Sequence, residues 1–152
     1  MSDAALNLLT EFEGFSSAPY QDPGGTWTIG YGSIRLGGTG PGRVTASTHP
    51  IDEPTARAWA SAELAVCMTE ISRVVQVPLS DNEKAALEDF VYNLGIGNFT
   101  SSTLLRLLNA GDYDGAAAQI GRWVYTHGTV LAGLVRRRAA ETQLFTSPDA
   151  TV

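Results

Sequence analysis

The amino-acid sequence predicts an α+β fold in which a small β-containing lobe and a larger helical lobe are joined by a long helix. A helical pattern comes first, turn residues and alternating aromatic residues follow at 19–35, and helical patterns fill the remainder. The 152 residues suffice for one domain with a cleft between two lobes. We expect one domain over 1–152, divided into a small lobe (about 14–54), a linking helix (about 55–75) and a helical lobe (about 76–146, plus helix one).

The first helix is predicted to end near Glu13. Ser2 or Asp3 can cap its start, apolar residues recur at helical spacing, and Gly14 follows its end. After it, "QDPGG" and "TWTIGYG" are typical of a short β-hairpin or a small antiparallel sheet. The glycine-rich segment "RLGGTGPGR" is interpreted as a loop or a distorted third strand.

A long helix is predicted for residues 55–75, because Pro54 suits its first turn and apolar residues recur along it. Its predicted buried residues are Trp59, Ala62, Val66, Ile71 and Val74. Further helices are expected in "SDNEKAALEDFVYNL", with a capping box of Ser80 and Glu83, and in "SSTLLRLLNAG", "DYDGAAAQIGRWV" and "LAGLVRRRAAETQLF". The second half is therefore predicted to be all helix.

Composition excludes several classes of protein. The net charge of −6, from 10 basic and 16 acidic residues, gives no electrostatic reason to bind nucleic acid or an anionic membrane. The single cysteine, Cys67, cannot form an internal disulfide and indicates a reducing compartment. No signal-peptide pattern or long apolar window occurs, so we expect a cytoplasmic protein exported by another route.

The candidate catalytic residues are Glu13, Asp22 and Thr28, which follow one another with eight and then five residues between them. Hydrolysis of a glycosidic bond requires an acid for the leaving oxygen and a second carboxylate that attacks carbon or activates water. The helix C-terminus and partial burial favour the protonated form of Glu13. We interpret Glu13 as the acid, Asp22 as an ionised base or stabilising carboxylate, and Thr28 as the positioner of water, with its hydroxyl facing the cleft.

The segment "EGFSSAPYQDPGGTWTIGYG" resembles the active-site segment of the phage-type lysozymes, glycoside hydrolase family 24, which act as endolysins. The likeness continues through "DNEKAALEDFVYNLGIGNFTSSTLLRLLNAGDYDGAAAQIGRW" and "LAGLVRRRAAE". It implies cleavage, with inversion, of the β-1,4 bond between N-acetylmuramic acid and N-acetylglucosamine in peptidoglycan, without cofactor or metal. It also implies that the protein stays in the host cytoplasm until a holin lesion releases it to the cell wall in the periplasm, and we expect a monomer.

The sequence departs from that family's pattern at three places. Ser33 follows "TIGYG" where the family commonly has His, which is expected to remove a polar partner. "RLGGTGPGR" is longer than a tight hairpin requires, and Ala132 stands where many relatives have Pro, which is expected to loosen the approach to the last helix.

Residues that bind substrate are predicted from their place near the cleft. Tyr20 and Tyr31 are candidates to contact a sugar, and Gly30 permits close approach of a glycan or marks a kinked strand. The three tryptophans, at 27, 59 and 123, are assigned to the core. In the run at 136–138, the side chains point in three directions, so either they form a solvated helix end or Arg137 faces the cleft and pairs with Glu13 or a wall carboxylate.

Other functions were weighed against this one. His49, His127 and Cys67 lack the spacing of a zinc amidase, and Cys67 lies mid-helix, which disfavours a cysteine peptidase. A lytic transglycosylase needs one acid and no positioned water, so Asp22 and Thr28 disfavour it. A non-catalytic peptidoglycan-binding protein on the same scaffold is the remaining alternative.

Overall fold

The structure is a computed structural model that describes residues 3–149, so the proposed cap Ser2 lies outside it. Within these residues, seven helices and two small antiparallel sheets follow one another along the chain. In order they are α1 (Asp3–Glu13), β1 (Ser16–Gln21), β2 (Trp27–Gly30), α2 (Glu53–Val74), α3 (Asp81–Leu94), α4 (Ile96–Thr100), α5 (Thr103–Asn109), α6 (Tyr113–Ile120), β3 (Tyr125–Thr126), β4 (Thr129–Val130) and α7 (Ala132–Thr146).

Helix α1 ends at Glu13, as predicted, and the next residue, Gly14, has a φ of +72° that stops the helix. Ala5 and Leu9 are fully buried on one side of it. That side packs against α2, α3 and α7. The chain therefore places the end of α1 between the hairpin that follows and the helices of the second half.

The predicted hairpin is confirmed: β1 and β2 pair antiparallel, with Tyr20 opposite Thr28 and Gln21 opposite Trp27. Burial does not alternate along β2, since Thr28, Ile29 and Gly30 are all buried. Tertiary packing contributes to this burial, because α2 lies against β2, and Ala56 and Ile51 lie beside Gly30.

Residues 35–43 form a loop rather than a third strand. A single isolated β-bridge joins Arg35 to Arg43, and the Leu36 amide donates to the Gly42 carbonyl at 2.9 Å. Gly38, with a φ of +82°, lies directly against the carbonyl group of Trp59 on α2, where a Cβ would overlap that oxygen. The many glycines thus let the loop close and lie on the long helix.

The long helix runs from Glu53 to Val74, with Pro54 in its first turn and the side chain of Asp52 accepting from the Thr55 amide. The predicted buried face is wrong at Val66, which is 46% exposed; of the other predicted residues only Ile71 is fully buried. The buried stripe is Ala56, Ala60, Leu64, Cys67 and Ile71. Small alanines allow β2, α1 and α3 to approach the helix closely, so neighbours rather than side-chain size select the face.

The second half is mostly helical, and the predicted capping box of Ser80 and Glu83 is present. The expectation that it is all helix is wrong at 125–130, where β3 and β4 form a two-residue hairpin. His127 and Gly128 both have positive φ, at 49° and 78°, as a primed turn requires. Ala132 is the first residue of α7. Among residues 3–149, no helix is long and apolar enough to cross a membrane.

Two clusters of buried residues form the core. The larger joins α2 to α7 around Phe90, against which Trp123 packs edge-on with ring centroids 5.8 Å apart, as its core assignment predicted. The smaller joins α1, the start of α2 and Tyr31. Glu13 lies at the edge of this smaller cluster, which holds the end of α1 in place.

Gly30→Ala is expected to lower the free energy of unfolding by about 2–4 kcal/mol, because a Cβ would combine backbone strain with overpacking. Gly30 has a φ of +67°, and its Cβ would lie 3.0 Å from Cβ of Ala56 and 3.3 Å from Cδ1 of Ile51. The matched control is Gly25→Ala, at a φ of +84° with nothing within 4 Å, which is expected to cost about 1 kcal/mol. Equal losses in urea unfolding would contradict the packing argument.

Candidate active site

Glu13 is held by a buried arginine. It is the last residue of α1, and its Oε1 accepts a hydrogen bond of 2.7 Å from Nη1 of Arg137, on α7. Its other oxygen, Oε2, lies against Gly32, where a Cβ would stand 3.0 Å away. The guanidinium therefore fixes one carboxyl oxygen, and the absence of a side chain at Gly32 leaves room beside the other.

Arg137 is only 4% exposed and is itself held by Asp89 on α3, which is 0% exposed. Nε and Nη2 of Arg137 donate to the two oxygens of Asp89 at 2.9 and 2.8 Å, a bidentate pair. Burial alone lowers the pKa of Arg137, but the hydrogen bonds and charges of Asp89 and Glu13 outweigh it and raise that pKa. Arg137 thus stays a cation between two carboxyl groups.

The three arginines point in three directions, as predicted. Arg136 is exposed, Arg137 reaches Glu13, and Arg138, 1% exposed, donates from Nη2 to Asn93 and Glu141, each at 2.8 Å. The alternative of a solvated helix end is wrong for the last two. Of the roles considered for Arg137, the structure supports pairing with Glu13, so its expected contact with substrate is corrected to positioning.

Buried charges continue behind Arg137. Burial, and then the neighbouring Asp89, raise the pKa of Glu141, whereas burial lowers the pKa of Arg138. Asp89 therefore lies between Arg137 and Glu141 in one continuous network that ends at Glu13. Such a network fixes the position of the Glu13 carboxyl group from deep within the helical part of the fold.

Asp22 organises the turn between β1 and β2. Its Oδ1 accepts hydrogen bonds from the amides of Gly24 and Thr26 at 2.9 and 2.8 Å. The Asp22 amide also donates to the Thr26 carbonyl at 2.9 Å. One carboxylate oxygen is thus committed to the turn, and Oδ2 is the oxygen that remains for chemistry. The turn role and the catalytic role considered for Asp22 are compatible.

Tyr20 links the two carboxyl groups. Burial and then the negative charges of Glu13 and Asp22 raise the pKa of its phenol, so both carboxyl groups lie near this one side chain. Tyr20 is 38% exposed, which suits contact with a bound sugar. Thr28 pairs with Tyr20 across the hairpin, so their side chains share one face.

The hydroxyl group of Thr28 is held in one orientation. It donates to the Thr26 carbonyl at 2.9 Å, and the residue is 4% exposed. A hydroxyl whose proton is committed in this way presents its lone pairs as acceptors. Thr28 is therefore suited to accept a hydrogen bond from a water molecule beside Asp22.

Two predicted sugar contacts are corrected by the structure. Tyr31 is 7% exposed, and its hydroxyl group donates to Oε1 of Glu53 at 2.8 Å, which makes it a packing residue of the small lobe. Gly30 faces Ala56 and Ile51 rather than open space. Its kinked-strand interpretation is therefore the correct one, because α2 occupies the place where a glycan would approach.

A cavity of about 360 Å³ borders Glu13. Glu13 and Gly32 line one side, and residues of α2 and α3 line the other, among them Glu63 and Tyr92. Ser33 does not remove a polar partner as expected, since its hydroxyl donates to Oε2 of Glu63 at 2.9 Å. Serine therefore replaces the family's His with another hydrogen-bond donor.

Sequence reasoning missed Asp89, Glu63 and Tyr92. Within "AALEDFVYNL" the acidic pair at 88–89 interrupts an apolar stretch of α3, and a buried charge needs a partner. That interruption was the available signal for Asp89. Glu63 and Tyr92 carry no such signal, because a single Glu and a single Tyr are ordinary residues within a helix.

Alternative chemistries find no support in the described part of the chain. No group of three or more His, Cys, Asp or Glu side chains within residues 3–149 could hold a metal ion. Burial raises the pKa of the Cys67 thiol to about 12, so it is not a thiolate nucleophile. The arrangement that is present, an acid held at a helix end and a second carboxylate on a hairpin, is typical of glycoside hydrolases.

Comparison with known proteins agrees with this class. A family model described as phage lysozyme matches residues 10–141. An endolysin of Acyrthosiphon pisum secondary endosymbiont phage 1 is 34% identical over 154 residues, covering 97% of this chain and 98% of that protein. A SAR-endolysin of Enterobacteria phage PA-2 is 36% identical over 132 residues, which cover 87% of this chain and 76% of that protein.

Solved structures show the same fold. The muramidase domain of SpmX from Asticaccaulis excentricus superposes with a TM-score of 0.83 at 32% identity, covering 97% of both chains. A mutant of P22 lysozyme superposes with a TM-score of 0.83 at 30% identity, and the match covers 97% of this chain and 98% of that chain. The chain belongs to the phage lysozyme family, and the predicted lysozyme-like α+β fold is confirmed. It is therefore a lysozyme-type glycoside hydrolase, a peptidoglycan-degrading endolysin.

Proposed function

We propose that this endolysin is a muramidase that hydrolyses the β-1,4 bond between N-acetylmuramic acid and N-acetylglucosamine. The observation that carries the proposal is the pair of carboxyl groups on consecutive elements: Glu13 at the end of α1, held by Arg137, and Asp22 in the turn of the hairpin that follows. Two carboxyl groups on separate elements are what the reaction needs on opposite sides of a sugar ring. The relatives described as endolysins and as a muramidase support the same assignment.

Glu13 serves as the general acid. Arg137 holds Oε1 at 2.7 Å, so Oε2, beside Gly32, is the oxygen that delivers a proton to the leaving glycosidic oxygen. Proton transfer depends on distance and alignment, so a carboxyl group fixed by a buried arginine reacts without first having to be ordered.

Asp22 and Thr28 act on water. Oδ2 of Asp22, the oxygen outside the turn, removes a proton from water as that water attacks the anomeric carbon. The Thr28 hydroxyl oxygen accepts a hydrogen bond from the water's other O–H, because its own proton is donated to the Thr26 carbonyl. Attack by water on the face opposite the leaving group inverts the configuration of that carbon.

Tyr20 is the sugar contact among the residues predicted to bind substrate. Its ring is partly exposed beside both carboxyl groups, and aromatic rings pack well on the apolar faces of sugars. We also propose that the enzyme is a monomer, because a cleft for a polymer must stay open. Holin lesions are the proposed route from the host cytoplasm to the wall in the periplasm.

Mass spectrometry of fragments released from purified peptidoglycan tests the bond that is cleaved. Reducing N-acetylmuramic acid ends are expected. Anhydro ends would instead assign a lytic transglycosylase, freed stem peptides an amidase or peptidase, and intact glycan a wall-binding protein without activity. Proton NMR of the first turnovers tests inversion, with the α-anomer expected from a β-linked substrate; a β-anomer would contradict the direct attack of water.

A further inference from the structure

Glu63 is a second carboxyl group in the cavity that Glu13 borders. It lies on α2, and both residues line the same space of about 360 Å³, together with Gly32 and Tyr92. The proposed hydrolysis gives Glu63 no part. A partly buried carboxyl group beside a catalytic acid nevertheless affects the electrostatics of that acid's site.

One short hydrogen bond, from Ser33, holds the carboxyl group of Glu63, and a second hydroxyl group lies farther away. Ser33 donates to its Oε2 at 2.9 Å, and the Tyr92 hydroxyl oxygen lies 3.4 Å from the same atom. The single proton of Tyr92 has a better acceptor, the Tyr31 carbonyl at 2.9 Å. In the described part of the chain, no lysine, arginine or histidine lies within ion-pair distance of Glu63. Glu63 therefore has a hydrogen-bond donor but no opposite charge beside it, so the charge of its ionised form is only partly compensated.

The charged groups around Glu63 act in the same direction. Burial is the largest cause that raises its pKa, to about 7, and the negative charge of Glu13 adds to it. Hydrogen bonds from Ser33 and Tyr92 lower that pKa but do not cancel the effect. On its own helix, Cys67 and Glu70 line the same cavity and supply no positive charge.

We propose that Glu63 is a positioning residue of the active site, which holds the Gly32–Ser33 turn beside Glu13 by accepting a hydrogen bond from Ser33 and whose ionisation, with no cation to balance it, draws water into this contact. Gly32 is the connection, because a Cβ on this residue would stand 3.0 Å from Oε2 of Glu13 and 3.3 Å from the Tyr92 hydroxyl oxygen. An ionised Glu63 must attract water or turn toward solvent. Either movement loosens the Gly32–Ser33 turn against which the acid rests.

The proposal predicts loss of stability as well as activity with rising pH. The pKa of Glu63 is higher in the folded protein, about 7, than its ordinary value of 4.5. Its contribution to stability is thus fully present below about pH 4.5 and is lost as the pH rises to about 7. Glu63→Gln keeps the shape and a hydrogen-bonding head group but cannot ionise, so this variant escapes the loss.

The test compares kcat/KM on peptidoglycan from pH 5 to pH 9 for the natural protein, Glu63→Gln and the control Glu70→Gln. If activity follows the neutral fraction of Glu63, titration near pH 7 lowers it by about tenfold between pH 6 and pH 8. The natural protein and Glu70→Gln are expected to show this fall, and Glu63→Gln to lose most of it. Parallel profiles for all three, or a Glu63→Gln variant inactive at every pH, would overturn the proposal.

Thermal unfolding keeps the test independent of the variant's activity. The unfolding temperature of Glu63→Gln minus that of the natural protein is expected to increase from pH 5 to pH 8. A difference that stays the same at every pH would contradict the role of Glu63. The inference rests on the proposed muramidase function, but the two can fail separately. Product masses judge the bond that is cleaved, whereas the difference between the two pH profiles judges Glu63.

Discussion

Glu13→Gln is expected to lower kcat by about 10²–10⁴-fold and to leave the fold unchanged. The substitution removes the proton that the leaving oxygen needs, and general acids contribute about 10²–10⁴-fold to such reactions. The glutamine oxygen can still accept the hydrogen bond from Arg137, and the side chain keeps nearly the same volume. Release of reducing ends measures the activity, and circular dichroism with urea unfolding measures the fold.

The matched control for this variant is Glu11→Gln on the same helix. Glu11 is exposed, lies two residues before Glu13 and does not line the cavity at Gly32. The Glu11→Gln substitution therefore removes the same charge without changing that cavity. Glu11→Gln is expected to keep activity within about twofold, since surface substitutions seldom affect a distant site. Full activity in Glu13→Gln would end the assignment of Glu13 as the acid.

Arg137→Met is expected to lower the free energy of unfolding by about 3–5 kcal/mol, because it leaves Asp89 as a buried charge without its partner. Asp89 is 0% exposed, and both of its oxygens accept from Arg137. Activity is expected to fall as well, since Oε1 of Glu13 is no longer held. Urea unfolding and kcat on peptidoglycan measure the two effects.

The neighbouring residue supplies the control. Arg136→Met removes the same charge from the same helix at an exposed position and is expected to change the free energy of unfolding by less than about 0.5 kcal/mol. Adding Asp89→Asn to Arg137→Met is expected to recover part of the stability, because the buried charge is then gone. Similar losses for Arg136→Met and Arg137→Met would show that burial of the ion pair is not the cause.

Local patterns explain which parts of the fold could be predicted. Helix α1, the hairpin of β1 and β2, and the capping box of α3 depend on residues close together in the chain. The buried face of α2 could not be predicted in the same way. Val66 is exposed and Ala60 is buried because β2, α1 and α3 lie where they do, which the helix's own sequence does not encode.

The sequence by itself determined the helix, hairpin and long helix of the first half and the candidates Glu13, Asp22 and Thr28, since these candidates lie within one short segment whose pattern is recognisable. Only the tertiary structure decided that Arg137, rather than Arg136 or Arg138, holds Glu13, that Asp89 holds Arg137, and that Glu63 lines the same cavity as Glu13. The physical reason is separation along the chain: Arg137 and Glu13 are 124 residues apart, and only the packing of α7 against α1 and α3 brings their charges into contact.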